Sequence, residues 1–326
     1  MLKRLGVAAA LALAPLLLPA VGFAADSYPV RPIRLVVPFP PGGGADTAGR
    51  ILVAKLGEST GQSWVVDNRG GAAGNIATEI VTSAAPDGYT VLLGFATALT
   101  VNPTLYPKLP FNVQRDLQPV TKFASAQYVL VVHPTVKATT IQEFIALAKS
   151  APGKLNYSSA GVGSPLHLAA EMFKFRSGVA IVNVAYKGGG PAAAALLGGE
   201  VQVLFGSVPA TLPSVRAGKM RALAATGLKR LAIAPELPTI AESGFPGFDV
   251  TSWYSMLVPA RTPKAVVARI FDETLKAVRP ADVVEALGKQ GLEVETSASP
   301  EAFAAEIRAE TAAWAKVIKA ANIRAE

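Results

Sequence analysis

The chain has no cysteine and two histidines in 326 residues. The first absence excludes disulfides, thiol catalysis and lipid attachment through a cysteine. The second leaves any zinc site dependent on carboxylates, and neither His133 nor His167 has a partner at metal-site spacing. Charged residues are sparse at 17% and aromatic ones at 7%. Three Lys or Arg never adjoin, so the basic excess of 8 is scattered surface charge. That excludes a nucleic-acid footprint and remains compatible with attracting anions. No glycine turn matches the P-loop pattern, and Gly161-Val162-Gly163-Ser164-Pro165-Leu166 lacks the third glycine of a dinucleotide fingerprint. No G-x-S-x-G elbow is present.

One long apolar run stands out. Leu5–Leu18 follows Lys3 and Arg4, and Gly22-Phe23-Ala24 offers small residues at the −3 and −1 positions of a cleavage site. Residues 1–24 therefore read as a cleaved export leader. The run is shorter than the roughly 17–25 residues of a spanning helix, and Pro15 and Pro19 interrupt it. Without a twin arginine, the general export route is expected. The chain beyond residue 24 should be soluble and periplasmic, and is long enough for two sizeable cores. Its basic excess drops from 8 to 6 once Lys3 and Arg4 are removed.

Short β-branched runs at 33–38, 64–67, 90–94, 128–132, 155–158, 180–184, 201–205 and 220–225 predict strands. Ala/Leu-rich stretches at 46–60, 75–84, 141–150, 165–176, 191–198, 263–277, 281–290 and 300–321 predict helices between them. Alternation of this kind predicts an α/β protein with largely parallel sheets. Residues 117–132 read as one extended passage out of a first lobe and 248–259 as the return. The expected lobes are 25–124 with 252–326, and 125–251, with a ligand cleft between them.

The stretches that carry chemistry are glycine corners, where a strand turns into a helix. In Val37-Pro38-Phe39-Pro40-Pro41-Gly42-Gly43-Gly44-Ala45-Asp46 the backbone can turn N–H groups inward beside the positive end of a helix. That is an anion-binding corner made of main chain. A second runs from Ser158 through Ser159, Ala160, Gly161 and Gly163 to Ser164-Pro165, with His167 one turn into the helix. A third, Tyr186-Lys187-Gly188-Gly189-Gly190-Pro191, reads equally well as a solvated loop. A fourth, Asn68-Arg69-Gly70-Gly71-Ala72-Ala73-Gly74-Asn75, reads equally well as a structural turn. Thr97, Thr100 and Asn102 follow a strand end and offer neutral groups to the cleft. Lone carboxylates such as Asp46, Asp87 and Glu171 read as caps and surface charges more than as an acid/base pair. Binding fits these residues better than turnover, with no cofactor, metal or catalytic residue expected.

Together the motifs resemble one family. They are Arg31-Pro32-Ile33-Arg34 through Asp46, Asn68 through Ile76, Pro86-Asp87-Gly88-Tyr89-Thr90, Asn102-Pro103, His133-Pro134, Pro152 through Tyr157, Tyr186-Lys187-Gly188 and Ala217 through Ala224. Their order and spacing are similar to the Bug/TctC receptors of tripartite tricarboxylate transporters. The resemblance implies a monomeric two-lobed "Venus flytrap" that closes on an organic acid and hands it to a membrane permease of one large and one small subunit. It implies a carboxylate held by main-chain N–H groups and water at two corners. The expected ligand-binding set is Phe39, Gly42, Gly43, Ala45, Asp46, Thr97, Asn102, Ser158, Ala160, Gly161, Gly163, Ser164, His167 and Tyr186. Two departures shape the expected ligand. Gly206 stands where the family often has an acid, which disfavours an amino acid. Phe95, Ala96, Ala98, Val162 and Leu166 make the cleft apolar, which favours a dicarboxylate with a hydrocarbon spacer or an aromatic acid over citrate. The alternatives are a receptor feeding a sensor kinase and, in another class, a periplasmic hydrolase using Ser164 and His167.

Overall fold

Aliphatic residues on strand β1 (Ile33–Val37) point alternately to two cores: Ile33, Leu35 and Val37 enter one, Val36 the other. A strand buried on both faces needs helices on both faces, and that requirement organises the molecule. The computed structural model describes residues 28–320 and 322–324, apart from Pro40, Gly42, Gly43, Pro107 and Lys187. The predicted leader lies outside the described residues.

The first lobe uses β1, β2 (Trp64–Asn68), β3 (Thr90–Phe95), the first part of β4 (Leu117–Val132) and β9 (Thr251–Pro259). On one face Leu52 and Leu56 of α1 (Gly44–Thr60) meet Val267 and Ile270 of α9 (Lys264–Val278) and Leu287 of α10 (Ala281–Lys289). On the other, Ala77 and Val81 of α2 (Asn75–Thr82) meet Phe303 and Ile307 of α11 (Pro300–Ala320) and the indole of Trp253.

The second lobe repeats the scheme with the end of β4, β5 (Asn156–Ser159), β6 (Val182–Ala185), β7 (Val203–Ser207) and β8 (Arg221–Ala225). Phe144 of α5 (Ile141–Ser150) and Phe173 of α6 (Pro165–Ser177) fill one face. Leu196 of α7 (Gly189–Leu197) and Leu212 of α8 (Val208–Arg216) fill the other. Strand β4 pairs with β9 up to Gln127 and with β7 from Tyr128 onward, so one strand serves both sheets.

Parallel pairing holds for β2-β1-β3 and β6-β5-β7, but the centre departs from the expectation. There β4 and β9 run antiparallel to each other and to their neighbours β3, β7 and β8. β-branched content gives no direction, and a chain that leaves a lobe on one strand and returns beside it lays the two antiparallel. Helix α8 was also not expected from sequence: Pro209 sits in its first turn, where a missing N–H costs nothing, and Pro213 lies inside it. Between β3 and α3 (Asn102–Leu105) the chain makes a π-helical turn, Thr97–Val101; the short helix α4 (Val113–Asp116) completes the element order.

Where β4, β9 and α11 meet, Lys122 is buried between Glu295 and Glu306. Beside them the Trp253 indole N–H donates to both carboxylate oxygens of Glu310, at 3.0 and 3.1 Å. Burial pushes Glu310 up from 4.5 to about 7, with Glu306 adding and Trp253 and Lys122 opposing. A carboxyl whose folded pKa is raised holds a proton the unfolded chain releases. Its stabilising contribution is therefore complete below about pH 4.5 and lost as pH climbs to about 7. Unfolding by urea from pH 5 to 8 should show a decline of roughly 2 kcal/mol from this group, discounted for its partial exposure. Glu310→Gln should remove that share of the slope; an unchanged slope would contradict the assignment.

Candidate functional site

In both lobes a strand runs toward the point where β4 passes from one sheet to the other, and a helix starts just beyond its end. In the first, β1 ends at Val37 and α1 opens at Gly44, after a loop in which Gly42 and Gly43 lie outside the described residues. Asn68, at the end of β2, ties this corner together. Its side-chain amide donates to the Phe39 carbonyl and to Asp46 Oδ1, both at 3.0 Å. Arg50 Nε donates to Asp46 Oδ2 at 3.0 Å. Asp46 is 3% exposed. Its carboxylate thus turns inward, where it suits the positive end of α1 and anchors the turn. Ala45 beside it is also buried, and Phe39 sets its ring edge-on against Phe95 at 5.0 Å.

A second strained turn adjoins the first corner. Gly71, Ala72, Ala73 and Gly74 have φ of 124°, 46°, 53° and 91°. Two alanines in the left-handed region cost energy that neighbours must offset. Asn102 supplies one restraint, donating to the Ala73 carbonyl at 3.1 Å and to Asn75 Oδ1 at 2.8 Å, while its own buried Oδ1 has no partner among the described residues. Asn102 thus organises the wall of the first lobe. Arg69 pairs with Asp67.

In the second lobe β5 ends at Ser159 and α6 opens at Pro165. Gly161 and Gly163 take φ of 113° and 76°, which only glycine adopts without strain. Ser164 caps α6, accepting from the His167 N–H at 3.3 Å, and Ser158 donates to the Ala192 carbonyl at 2.9 Å. Ser159 Oγ is buried without a partner among the described residues. Ala160 and Gly161 stay half-exposed on the turn.

His167 lies inside this lobe, not on the cleft surface. Its Nδ1 accepts from the Gly163 N–H at 3.3 Å and its ring stacks on Tyr157. Burial pushes its pKa down, against the pull of Glu171. A neutral imidazole with Nδ1 as acceptor holds the corner in shape. Ser164 Oγ accepts from the His167 main-chain N–H and His167 Nδ1 from the Gly163 N–H, and among the described residues the two side chains share no hydrogen bond. Tyr186 extends the β5–β6 ladder through its N–H to Ser159, while its hydroxyl donates to Glu200 at 3.1 Å. A side chain at Gly206 would meet Thr211 Cγ2 at 2.3 Å, so α8 leaves no room for an acid there.

One seam between the lobes lies beside the second corner. A methyl group at Gly163 would lie 2.8 Å from Leu105 Cδ2 on α3. Val101 and Leu105 of the first lobe, Leu168 of the second and Ile318 of α11 form one apolar cluster. Thr97, Tyr128, Pro165, Ser252 and Trp314 line an inter-lobe cavity of about 10 Å³, the size of one water. A cavity of about 590 Å³ on the second lobe, beside Thr140, Leu212 and Arg221, includes no corner residue.

The residue that sequence reasoning missed is Tyr254. It pairs with Phe95 on β3 and Ala124 on β4, opposite in facing to Trp253, and its hydroxyl reaches the start of α1. The alternation of Trp253 and Tyr254 along an extended return strand was the available signal.

Residues 49–323 match the family model described as "Tripartite tricarboxylate transporter family receptor". Protein BugT of Bordetella pertussis is 38% identical over 296 residues, spanning 90% of each chain. Among solved structures, R. palustris Rpa4515 with adipate superposes with a TM-score of 0.78 at 35% identity, covering 91% of this chain and 99% of that one. MatC from Rhodopseudomonas palustris with bound malate gives 0.74 at 29%, covering 89% and 100%.

Proposed function

Because the chain belongs to the tripartite tricarboxylate transporter receptor family, TctC or Bug, we propose that it is a periplasmic solute-binding protein that captures an organic carboxylate between its lobes and delivers it to a membrane permease of one large and one small subunit. The observation that carries this reading is the pair of corners. Two helix starts with glycine turns stand at the ends of β1 and β5, and the seam at Leu105 and Gly163 brings their lobes together. Neutral N–H donors suit a receptor, since they hold a carboxylate in the closed form and release it on opening. Contributing residues are Phe39, Gly42, Gly43, Ala45 and Asp46 from one lobe and Ser158, Ala160, Gly161, Gly163 and Ser164 from the other, through main chain or support. Thr97, Asn102, His167 and Tyr186 shape the cleft behind them. The hinge is the crossing of β4 and β9, between 25–124 with 252–326 and 125–251.

A dicarboxylate with a hydrocarbon spacer, or an aromatic acid, is the ligand we favour. Phe39 and Phe95 make an apolar wall beside the first corner, and the two ligand-bound neighbours carry adipate and malate. Protein unfolded and refolded to strip carried-over ligand should be stabilised by one class in a thermal-shift panel of mono-, di- and tricarboxylates, aromatic acids and acidic amino acids. At 100 times its dissociation constant a ligand adds about 2.7 kcal/mol, a rise of several degrees. Citrate binding as tightly as adipate would refute the apolar-spacer assignment, and a flat panel would refute carboxylate capture.

A further inference from the structure

The first lobe holds a side-chain donor at the corner where main-chain N–H groups and water were expected to hold the ligand. We infer that the hydroxyl of Tyr254 donates a hydrogen bond to the ligand carboxylate seated at the start of α1, and that this tyrosine sets affinity there. The inference rests on the proposed carboxylate-binding role and deepens it.

The placement comes from the sheet. Tyr254 stands on β9, between Phe95 of β3 and Ala124 of β4. Its ring is held on one side by Phe95, centroids 5.6 Å apart, and on the other by Phe123 at 6.3 Å. Phe39 continues the row at 5.0 Å from Phe95. Rings clamped this way leave the phenol one direction to point. A methyl group at Gly44, the first residue of α1, would touch the Tyr254 hydroxyl oxygen at 3.4 Å. Trp253, one residue earlier, faces the opposite core and is satisfied by Glu310.

The hydroxyl makes no hydrogen bond to any described residue, and burial alone pushes its pKa up to about 12. It is therefore a donor throughout the working pH range. Tyr254 is half-buried, so its ring is fixed by its neighbours while its hydroxyl stays open to a partner arriving at the start of α1. A donor held unpaired at the positive end of a helix matches an anion, which accepts from it and from the helix N–H groups together. The same row of rings offers its apolar faces to the ligand's carbon chain, so headgroup and spacer are read by neighbouring parts of one wall.

The test is calorimetric titration of adipate into refolded wild-type protein and Tyr254→Phe, which keeps the ring and removes the donor. The expected result is affinity about 10- to 100-fold weaker in the variant, with the unfolding temperature of ligand-free protein unchanged. A purely structural tyrosine would lower that temperature and leave affinity alone. Equal affinity in the two proteins overturns the tyrosine's role and leaves the receptor reading standing; a wild-type protein that binds no carboxylate overturns both. Unmodified protein gives a second reading. In a ligand-bound crystal structure Tyr254 Oη should lie within about 3 Å of a carboxylate oxygen, and a phenol turned away from the ligand overturns the inference.

Discussion

Gly163→Val is expected to weaken carboxylate binding by at least 100-fold, a loss of about 2.7 kcal/mol. Two effects add. The backbone at Gly163 has φ of 76°, and a branched side chain there costs about 1–2 kcal/mol. The new side chain also enters the seam, because its first carbon would stand 2.8 Å from Leu105 Cδ2 on the other lobe. Interiors are close-packed and do not absorb such an overlap, so the lobes are held apart and the second corner loses its place over the ligand. The Gly163 N–H to His167 bond is disturbed as well. The pair Gly163→Ala and Gly163→Ala with Leu105→Ala separates strain from overlap. Trimming Leu105 should restore binding in part, and calorimetry on all three variants checks it. Wild-type affinity in Gly163→Val would mean that the seam does not close on the ligand.

Phe173→Ala is expected to cost the second lobe about 3–5 kcal/mol. Phe173 is fully buried on α6 and touches four rings: Phe205 at 5.6 Å, Phe144 and Phe245 at 6.0 Å, and Phe248 at 6.5 Å. Aromatic neighbours collapse poorly into a ring-sized void, which puts the loss at the upper end for large-to-small changes. Because α6 also carries the second corner, the same variant should bind adipate less tightly. Urea unfolding measures the stability change, and a loss below about 1 kcal/mol would contradict the packing described.

The two corners were legible because their chemistry is local. Glycines, serines and a proline at a helix start lie within a few residues of one another, and capping rules act over the same range. Strand β1 and helix α1 were legible for the same reason, through a short β-branched run and an Ala/Leu-rich stretch. What escaped depends on distant parts of the chain. Tyr254 meets Gly44 only because β9 inserts between β3 and β4, and nothing in its neighbours along the chain announces that register. Glu310 and Lys122 are drawn together in the same way. Asp46 and His167 show the complementary limit. Their residue types suit ligand contact, but Asn68, Arg50 and Gly163 occupy them from within their own lobes. The π-helical turn at Thr97–Val101 follows an apolar stretch without a clear period, so neither strand nor helix patterning marks it.

The central claim is that a carboxylate is held between the two corners. A crystal structure of the refolded protein with adipate tests it most directly. The account predicts one carboxylate within about 3 Å of the main-chain N–H groups of Ala45 and Asp46, with the turn from Ala160 to Ser164 closed over the ligand from the opposite lobe. Adipate seated in the cavity beside Arg221 on the second lobe, with the corners untouched, would contradict it.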